Sequence, residues 1–397
     1  MAQRTTITTG DCVADLEARF ARRTQTRHAI VMNSGTSALH SAYFAAGVQP
    51  GDEVIVPTYT FYASASAILP LGGVPVFCDI HPQTLTADPE DVEKRITPRT
   101  RAICVVHVWG NPARMDRFVE IARRHDLTLI EDCSHAHGAT FRDRPVGGWG
   151  DIGCFSMQGA KPVSGGELGV AVTNDATLHD HMLALGQGGR TLCDQKADTY
   201  DVDASSLGLK YRPHPYAVLL ALASLERLDE LNRLRRRNYQ ILAEELALSP
   251  AIQTIPTYPE ATRGGLLEFI FRFNPQHANG ITAGHFAKAV AAEGVPLQRD
   301  RYTLLGRTGR LLHELPLFNQ PDAAPVPRGG LIHGAPDGAG DDPPRRPNLP
   351  VAEALADRLF SLLPLTDVSP AAVRACARAI KKVADTLPTV SDYRIGA

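Results

Sequence analysis

Four short, uninterrupted apolar runs separated by amphipathic stretches constrain this chain most. They are Val54-Ile55-Val56-Pro57, Val74-Pro75-Val76-Phe77-Cys78-Asp79, Ala102-Ile103-Cys104-Val105-Val106-His107-Val108 and Leu127-Thr128-Leu129-Ile130-Glu131. A strand with one wet face alternates polar and apolar residues, whereas a strand covered on both faces does not. Between the third and fourth runs, Arg114 to His125 carries Phe118, Val119, Ile121 and Ala122 at helical spacing. Buried strands alternating with helices predict an α/β fold with a mainly parallel sheet covered on both faces. Gly169-Val170-Ala171-Val172-Thr173 reads as a further strand.

With 397 residues the chain is long enough for more than one domain. Pro215 to Leu246 reads as one long helical region, which divides a first domain, 1–250, from a second, 251–397. In the second, Phe269-Ile270-Phe271-Arg272-Phe273 reads as a strand and Ala283 to Glu293 as a helix. Val295-Pro296-Leu297 reads as a sheet edge, and Ser369-Pro370 as the start of a helix to Leu387. The Pro/Gly-rich stretch at 322–348 predicts a long loop, read as a tolerated insertion in preference to a mobile flap.

Composition excludes several classes. Forty-one basic and 43 acidic residues leave a formal charge of -2, too little to draw the chain to nucleic acid or a membrane. No apolar run reaches the length of a membrane span, and Met1 to Thr6 lacks the apolar core of a signal peptide, which predicts a cytoplasmic protein. Seven scattered cysteines without a CxxC pair predict reduced, mostly buried thiols, Cys133 and Cys154 included. The histidines show no metal-ligand spacing, and no phosphate-binding glycine signature stands in the right context. The basic run Arg233-Leu234-Arg235-Arg236-Arg237 lies on the long helix, where a solvated face or an interface is expected.

The chemistry centres on Lys161. It follows Phe155-Ser156-Met157-Gln158-Gly159-Ala160 and precedes a second glycine pair, Gly165-Gly166. Upstream, the fourth apolar run ends in Asp132. An amine on a glycine-flanked loop, a serine beside it and a strand-end carboxylate suit pyridoxal 5'-phosphate (PLP). The lysine amine forms a Schiff base, and the carboxylate keeps the pyridine nitrogen protonated. Gly35, Thr36 and Ser37 open an apolar helical stretch, where small residues let backbone N–H groups approach a phosphate.

These residues recur in a longer pattern. It runs through Asn33-Ser34-Gly35-Thr36-Ser37-Ala38-Leu39, Gly51-Asp52-Glu53-Val54, Thr60-Phe61, His107-Val108-Trp109-Gly110 and Glu131-Asp132-Cys133-Ser134-His135-Ala136-His137-Gly138-Ala139. It ends with Gly150 to Ser156, Lys161, His313-Glu314-Leu315-Pro316 and Asn348-Leu349-Pro350. In this order they resemble the DegT/StrS-type sugar aminotransferases, which are fold-type I PLP enzymes. The resemblance implies a large domain with a mainly parallel seven-stranded sheet, a smaller C-terminal α+β domain and a homodimer. It implies amino transfer from glutamate or glutamine to a keto group on a sugar, a cyclitol or a related secondary-metabolite intermediate. It assigns Lys161 the Schiff base and proton transfer, Asp132 the pyridine nitrogen, and Gly35, Thr36, Ser37 and Ser156 the phosphate. His135 falls near the cofactor's phenolic oxygen and Phe61 on its ring, while His137 reads as structural. Members of the family serve antibiotic and cell-surface sugar pathways.

Three departures stand out. Pro215, after Tyr211-Arg212-Pro213-His214, replaces an Asn that reaches a phosphate in the neighbouring subunit. Arg212 or His214 substitutes there, or the contact is lost. Leu168 in Gly166-Glu167-Leu168-Gly169 replaces a glycine and is expected to narrow the pocket. Met157-Gln158 replaces an aromatic pair. The alternatives are another reaction on the same fold (racemisation, elimination or carbon–carbon bond formation) and a non-catalytic regulator. The intact Asp132, Ser156 and Lys161 count against the last.

Overall fold

The computed structural model describes residues 11–187, 190, 209–277, 281–299, 310–319 and 347–386. In the first half the strands run β1 (His28–Met32), β2 (Glu53–Pro57), β3 (Val74–Cys78), β4 (Thr100–Val106) and β5 (Thr128–Asp132). They continue with β6 (Thr140–Phe141), β7 (Arg144–Pro145), β8 (Ile152–Ser156) and β9 (Gly169–Thr173). Seven of these form one sheet in the order β1-β9-β8-β5-β4-β2-β3. Pairing is parallel from β8 through β3, and only β9 runs against its neighbours β8 and β1. The fold is therefore the expected α/β one, with a mainly parallel seven-stranded sheet.

Alternate residues of each strand serve opposite faces. Met32, Val54, Val56, Cys104, Ile130 and Ala171 join the core beneath the helix Gly35–Ala45. Ile55, Ile103, Val105 and Leu129 pack against Phe118 and Ile121 of the helix Met115–His125. Val31, Val170 and Val172 meet the helices Asp11–Thr24 and Pro215–Glu226. Both faces are thus covered, which is why the strands read as continuous apolar runs.

A smaller sheet follows, built from β10 (Ile252–Thr254), β12 (Phe269–Phe273), β13 (Gln298–Arg299) and β14 (Leu359–Leu362) in the order β10-β12-β14-β13. Strand β11 (Ala261–Thr262) returns to pair with β6. The expected edge at Val295-Pro296-Leu297 is not a strand. Pro296 has no N–H to give a ladder, and pairing begins at Gln298. The region Pro215 to Leu246 is two helices, Pro215–Glu226 and Leu228–Leu246, that meet at Arg227. Leu242 and Leu246 pack with Phe269 and Val373, so the second helix carries the small sheet's core. The basic run holds carbonyls of that C-terminal part: Arg235 donates to Gly265, Arg236 to Arg263 and Arg237 to Val368. It is an interface within the chain, and among the described residues Arg233 alone of the run pairs with an acid on the surface, Glu230.

The stretch at 322–348 lies, except for its last two residues, outside the described residues, as does Cys193. The other six cysteines form no disulfide. No described helix is long and apolar enough to cross a membrane.

Two buried acids fasten separate segments. Glu131 accepts from His107 Nε2 (3.0 Å) and from the backbone N–H groups of Gly147 (2.8 Å), Trp149 (2.7 Å) and Gly150 (2.7 Å). Asp79, just past β3, accepts from the N–H groups of Val351 (2.9 Å) and Ala352 (2.8 Å), and so caps the helix Pro350–Ala356. The residue before that helix, Leu349, has no capping side chain. Asp79→Ala is expected to lower the unfolding free energy by about 1–2 kcal/mol, read as a lower urea midpoint at unchanged slope. An unchanged midpoint would remove this cap from the account.

Candidate active site

The carboxyl ends of β5 and β8 and the start of the helix Gly35–Ala45 enclose a cavity of about 360 Å³. Its wall includes Gly35, Thr36, Phe61, Asp132, His135, Ser156 and Lys161, together with Thr60, Tyr62, Ser134, Gln158 and Glu167. Residues from Gly35 to Glu167, 132 positions apart in sequence, thus converge, as expected for ligand sites at strand carboxyl ends. Of the expected site residues only Ser37 is absent from the wall. Its hydroxyl donates to Asn33 Oδ1 at 2.6 Å, and its N–H donates to Ser34 Oγ at 3.0 Å. It closes the helix cap and leaves the first N–H groups of the helix to face the cavity.

Gly35 is glycine for a spatial reason. A Cβ there would stand 2.6 Å from Ser156 Cβ, so only glycine lets the serine close on the helix start. A Cβ on Gly169, next to it in space, would overlap the Ser34 carbonyl. The result is a cradle of backbone N–H groups, a helix dipole and the Ser156 hydroxyl, which suits a phosphate.

Asp132 is buried at the end of β5, and each of its oxygens has a donor. Ser64 Oγ donates to Oδ2 at 2.8 Å, and the Ser134 N–H to Oδ1 at 3.0 Å. Because the Ser64 proton lies on Asp132, the Thr60 hydroxyl at 3.1 Å donates to Ser64. Tyr43 holds the Ser64 carbonyl at 2.6 Å. Ser64 was missed in the sequence, since a serine in the short helix Ala63–Ser66 carries no signal there.

Lys161 is held down to about 8 by burial, against the opposing pull of the Asp132 and Glu268 charges. Burial, with Lys161 and His137 nearby, pushes His135 well below the usual imidazole range. His137, read as structural, is pushed down to about 3 and packs against Phe20 and Phe155. Cys133 and Cys154 are buried, which drives both thiols well above their usual value and away from nucleophilic use.

Two expectations about the pocket change. Leu168 is fully buried with Met157, Val163 and Val170 in the core, so it does not narrow the cavity. Alternation turns the neighbouring residues outward, and Gln158 and Glu167 line the wall instead. Pro215 is the first residue of a helix whose cap is His214, which accepts from the Tyr216 N–H at 3.3 Å. Neither Arg212 nor His214 lines the cavity. The described residues hold one group of possible metal ligands, His107, Glu131 and Cys133, and its carboxylate is the one engaged by the backbone donors above.

Residues 1–303 match the model of the DegT/DnrJ/EryC1/StrS aminotransferase family. The chain belongs to that family. Over 280 residues, 70% of its length, this aminotransferase is 40% identical to an L-glutamine:2-deoxy-scyllo-inosose aminotransferase of Micromonospora echinospora, 66% of which is spanned. Over 366 residues, 87% of its length, it is 36% identical to a protein of the same name from Streptomyces fradiae, 80% of which is spanned. Among solved structures, DesI in the presence of its TDP-sugar product superposes with a TM-score of 0.77 at 30% identity, over 94% of this chain and 85% of that one. The family is PLP-dependent, and the Gly35–Ser156 cradle, which any Cβ at 35 would fill, fits that cofactor's phosphate.

Ser64→Ala takes a donor from the Asp132 carboxylate. It is expected to raise the Kd for PLP about tenfold, a loss of about 1.4 kcal/mol, measured by equilibrium dialysis. An unchanged Kd would show that Ser64 does not support the carboxylate.

Proposed function

We propose that this aminotransferase binds PLP in the cavity at Lys161. In this reading it moves an amino group from glutamine or glutamate to a keto group on a cyclitol or sugar. One observation carries the reading: a buried amine held at about 8 shares a 360 Å³ cavity with a strand-end carboxylate and a helix-start cradle. The relatives named for L-glutamine and an inosose support the donor and acceptor classes. The polar Gln158 and Glu167 on the wall suit a polyhydroxylated acceptor.

When bound, the cofactor supplies an aldehyde for the donor's amine and a ring that takes up the electrons left on the donor carbon. The residues of the chain do the rest. Gly35, Thr36 and Ser156 hold the phosphate, Phe61 offers an aromatic face, and Asp132 keeps a proton on the ring nitrogen. Lys161 Nζ, once neutral, takes the proton from the donor carbon and in the second half delivers one to the acceptor carbon.

A lysine held near 8 is uncharged only above that value. Covalent capture of PLP by cofactor-free protein should therefore speed up as pH rises through about 8, well below the 10.5 of an ordinary lysine. A rate still climbing at pH 10 would contradict the shift. L-Glutamine or L-glutamate should convert the bound cofactor to pyridoxamine phosphate, measured by chromatography, and an inosose should reverse it. Absence of pyridoxamine phosphate with both donors would point to another reaction on the same fold.

The reading extends to a homodimer in the cytoplasm, with a cofactor domain over 1–250 and a small domain over 251–397. The seven-stranded sheet lies wholly within 1–250 and the four-stranded one within 251–397, which supports the division, although β11 crosses it to pair with β6. Tyr216, Leu219 and Leu220 are exposed on one face of the helix Pro215–Glu226, and a second copy would cover them. Light scattering should give twice the chain mass; a monomer would contradict the dimer.

A further inference from the structure

One contact on the cavity wall comes from a backbone group in an uncommon conformation. Trp109 has φ 55, in the left-handed region that bulky residues rarely enter. There its backbone N–H donates to His135 Nδ1 at 3.3 Å, and its indole lies against the imidazole with centroids 5.2 Å apart. A backbone N–H can only donate, so Nδ1 accepts. In a neutral ring the proton then sits on Nε2.

The conformation is held from outside the loop. The Trp109 indole donates to Tyr59 OH at 2.9 Å. A Cβ on Gly110 would overlap the Gly264 carbonyl, and one on Gly265 would overlap the His135 carbonyl. The Gly264–Gly265 segment of the small domain therefore touches both sides of the Trp109–His135 contact. Asn232, fully buried on the long helix, fastens that segment. Its Oδ1 accepts from the Gly265 N–H at 2.9 Å, and its Nδ2 donates to the His137 carbonyl at 2.8 Å.

We propose that Trp109 and Asn232 are positioning residues that fix His135 as an Nε2–H donor on the cavity wall. A neutral donor there hydrogen-bonds an anionic oxygen of the ligand without adding a positive charge beside Lys161. The use of that donor rests on the PLP reading above; the tautomer belongs to the chain itself. The strained Trp109 is thereby explained, as is a buried asparagine just before the basic run of the long helix.

Ring-nitrogen NMR of the full-length protein with 15N-histidine tests this, with His135 assigned by its loss in His135→Gln. A single neutral tautomer with the proton on Nε2 is expected across about pH 6–8, around the ordinary histidine value, with and without PLP. Asn232→Leu, which keeps the number of side-chain heavy atoms and removes both bonds, is expected to mix the His135 tautomers and raise the Kd for PLP about tenfold. A proton on Nδ1 or an imidazolium in the unaltered protein would overturn the proposal. So would an unchanged His135 spectrum and Kd in Asn232→Leu. If that variant does not fold, the spectrum of the unaltered protein decides alone. A chain that fails to bind PLP would sink the proposed function, while the cofactor-free spectrum would still decide the tautomer.

Discussion

The buried Glu131 carboxylate is the contact on which the site depends. Taking a carboxylate out of water is costly unless donors surround it, and here three backbone N–H groups and an imidazole do so. Those donors come from the segment after β4 and the loop before β8, so one side chain ties both neighbours of β5 to it. Its strand partner in β8 is Gly153, where a Cβ would collide with Gly147. Strand alternation then turns the next residue, Asp132, to the opposite face, where Val106 also lines the cavity. A carboxylate that ties strands together and one that lines the cavity stand side by side, on opposite faces of one strand.

The same economy shapes the phosphate cradle. Ser34 and Ser37 close the helix start among themselves, Gly35 admits Ser156, and Gly169 admits Ser34. These residues act through what they leave out or how they cap, and the groups offered to a ligand are mostly backbone. The C-terminal part meets the His135 loop in a comparable way, through the paired glycines Gly264 and Gly265.

Much of this was legible. The apolar runs gave the central strands within two residues, because full burial removes the polar alternation that marks an exposed strand. That Lys161, Asp132, Ser156, Gly35 and Thr36 share one cavity was legible because the chemistry proposed for them needs those residue types in a fixed order. Ser64 and Asn232 were not, since a serine among alanines and an asparagine on a charged helix reveal a role only when distant chain segments meet. Leu168 misled for the opposite reason: a departure beside a motif reads as a pocket change, but just before β9 it packs into the core with Met157, Val163 and Val170. Ser37 likewise has the right chemistry for phosphate and spends it on the cap.

The account stands on Lys161 as the amine that captures the cofactor. Borohydride reduction of the PLP-loaded protein, followed by peptide mapping in a mass spectrometer, tests this directly. The account predicts a stable pyridoxyl adduct on Lys161, and none in Lys161→Ala. An adduct on another lysine, or none on the unaltered protein, would contradict it.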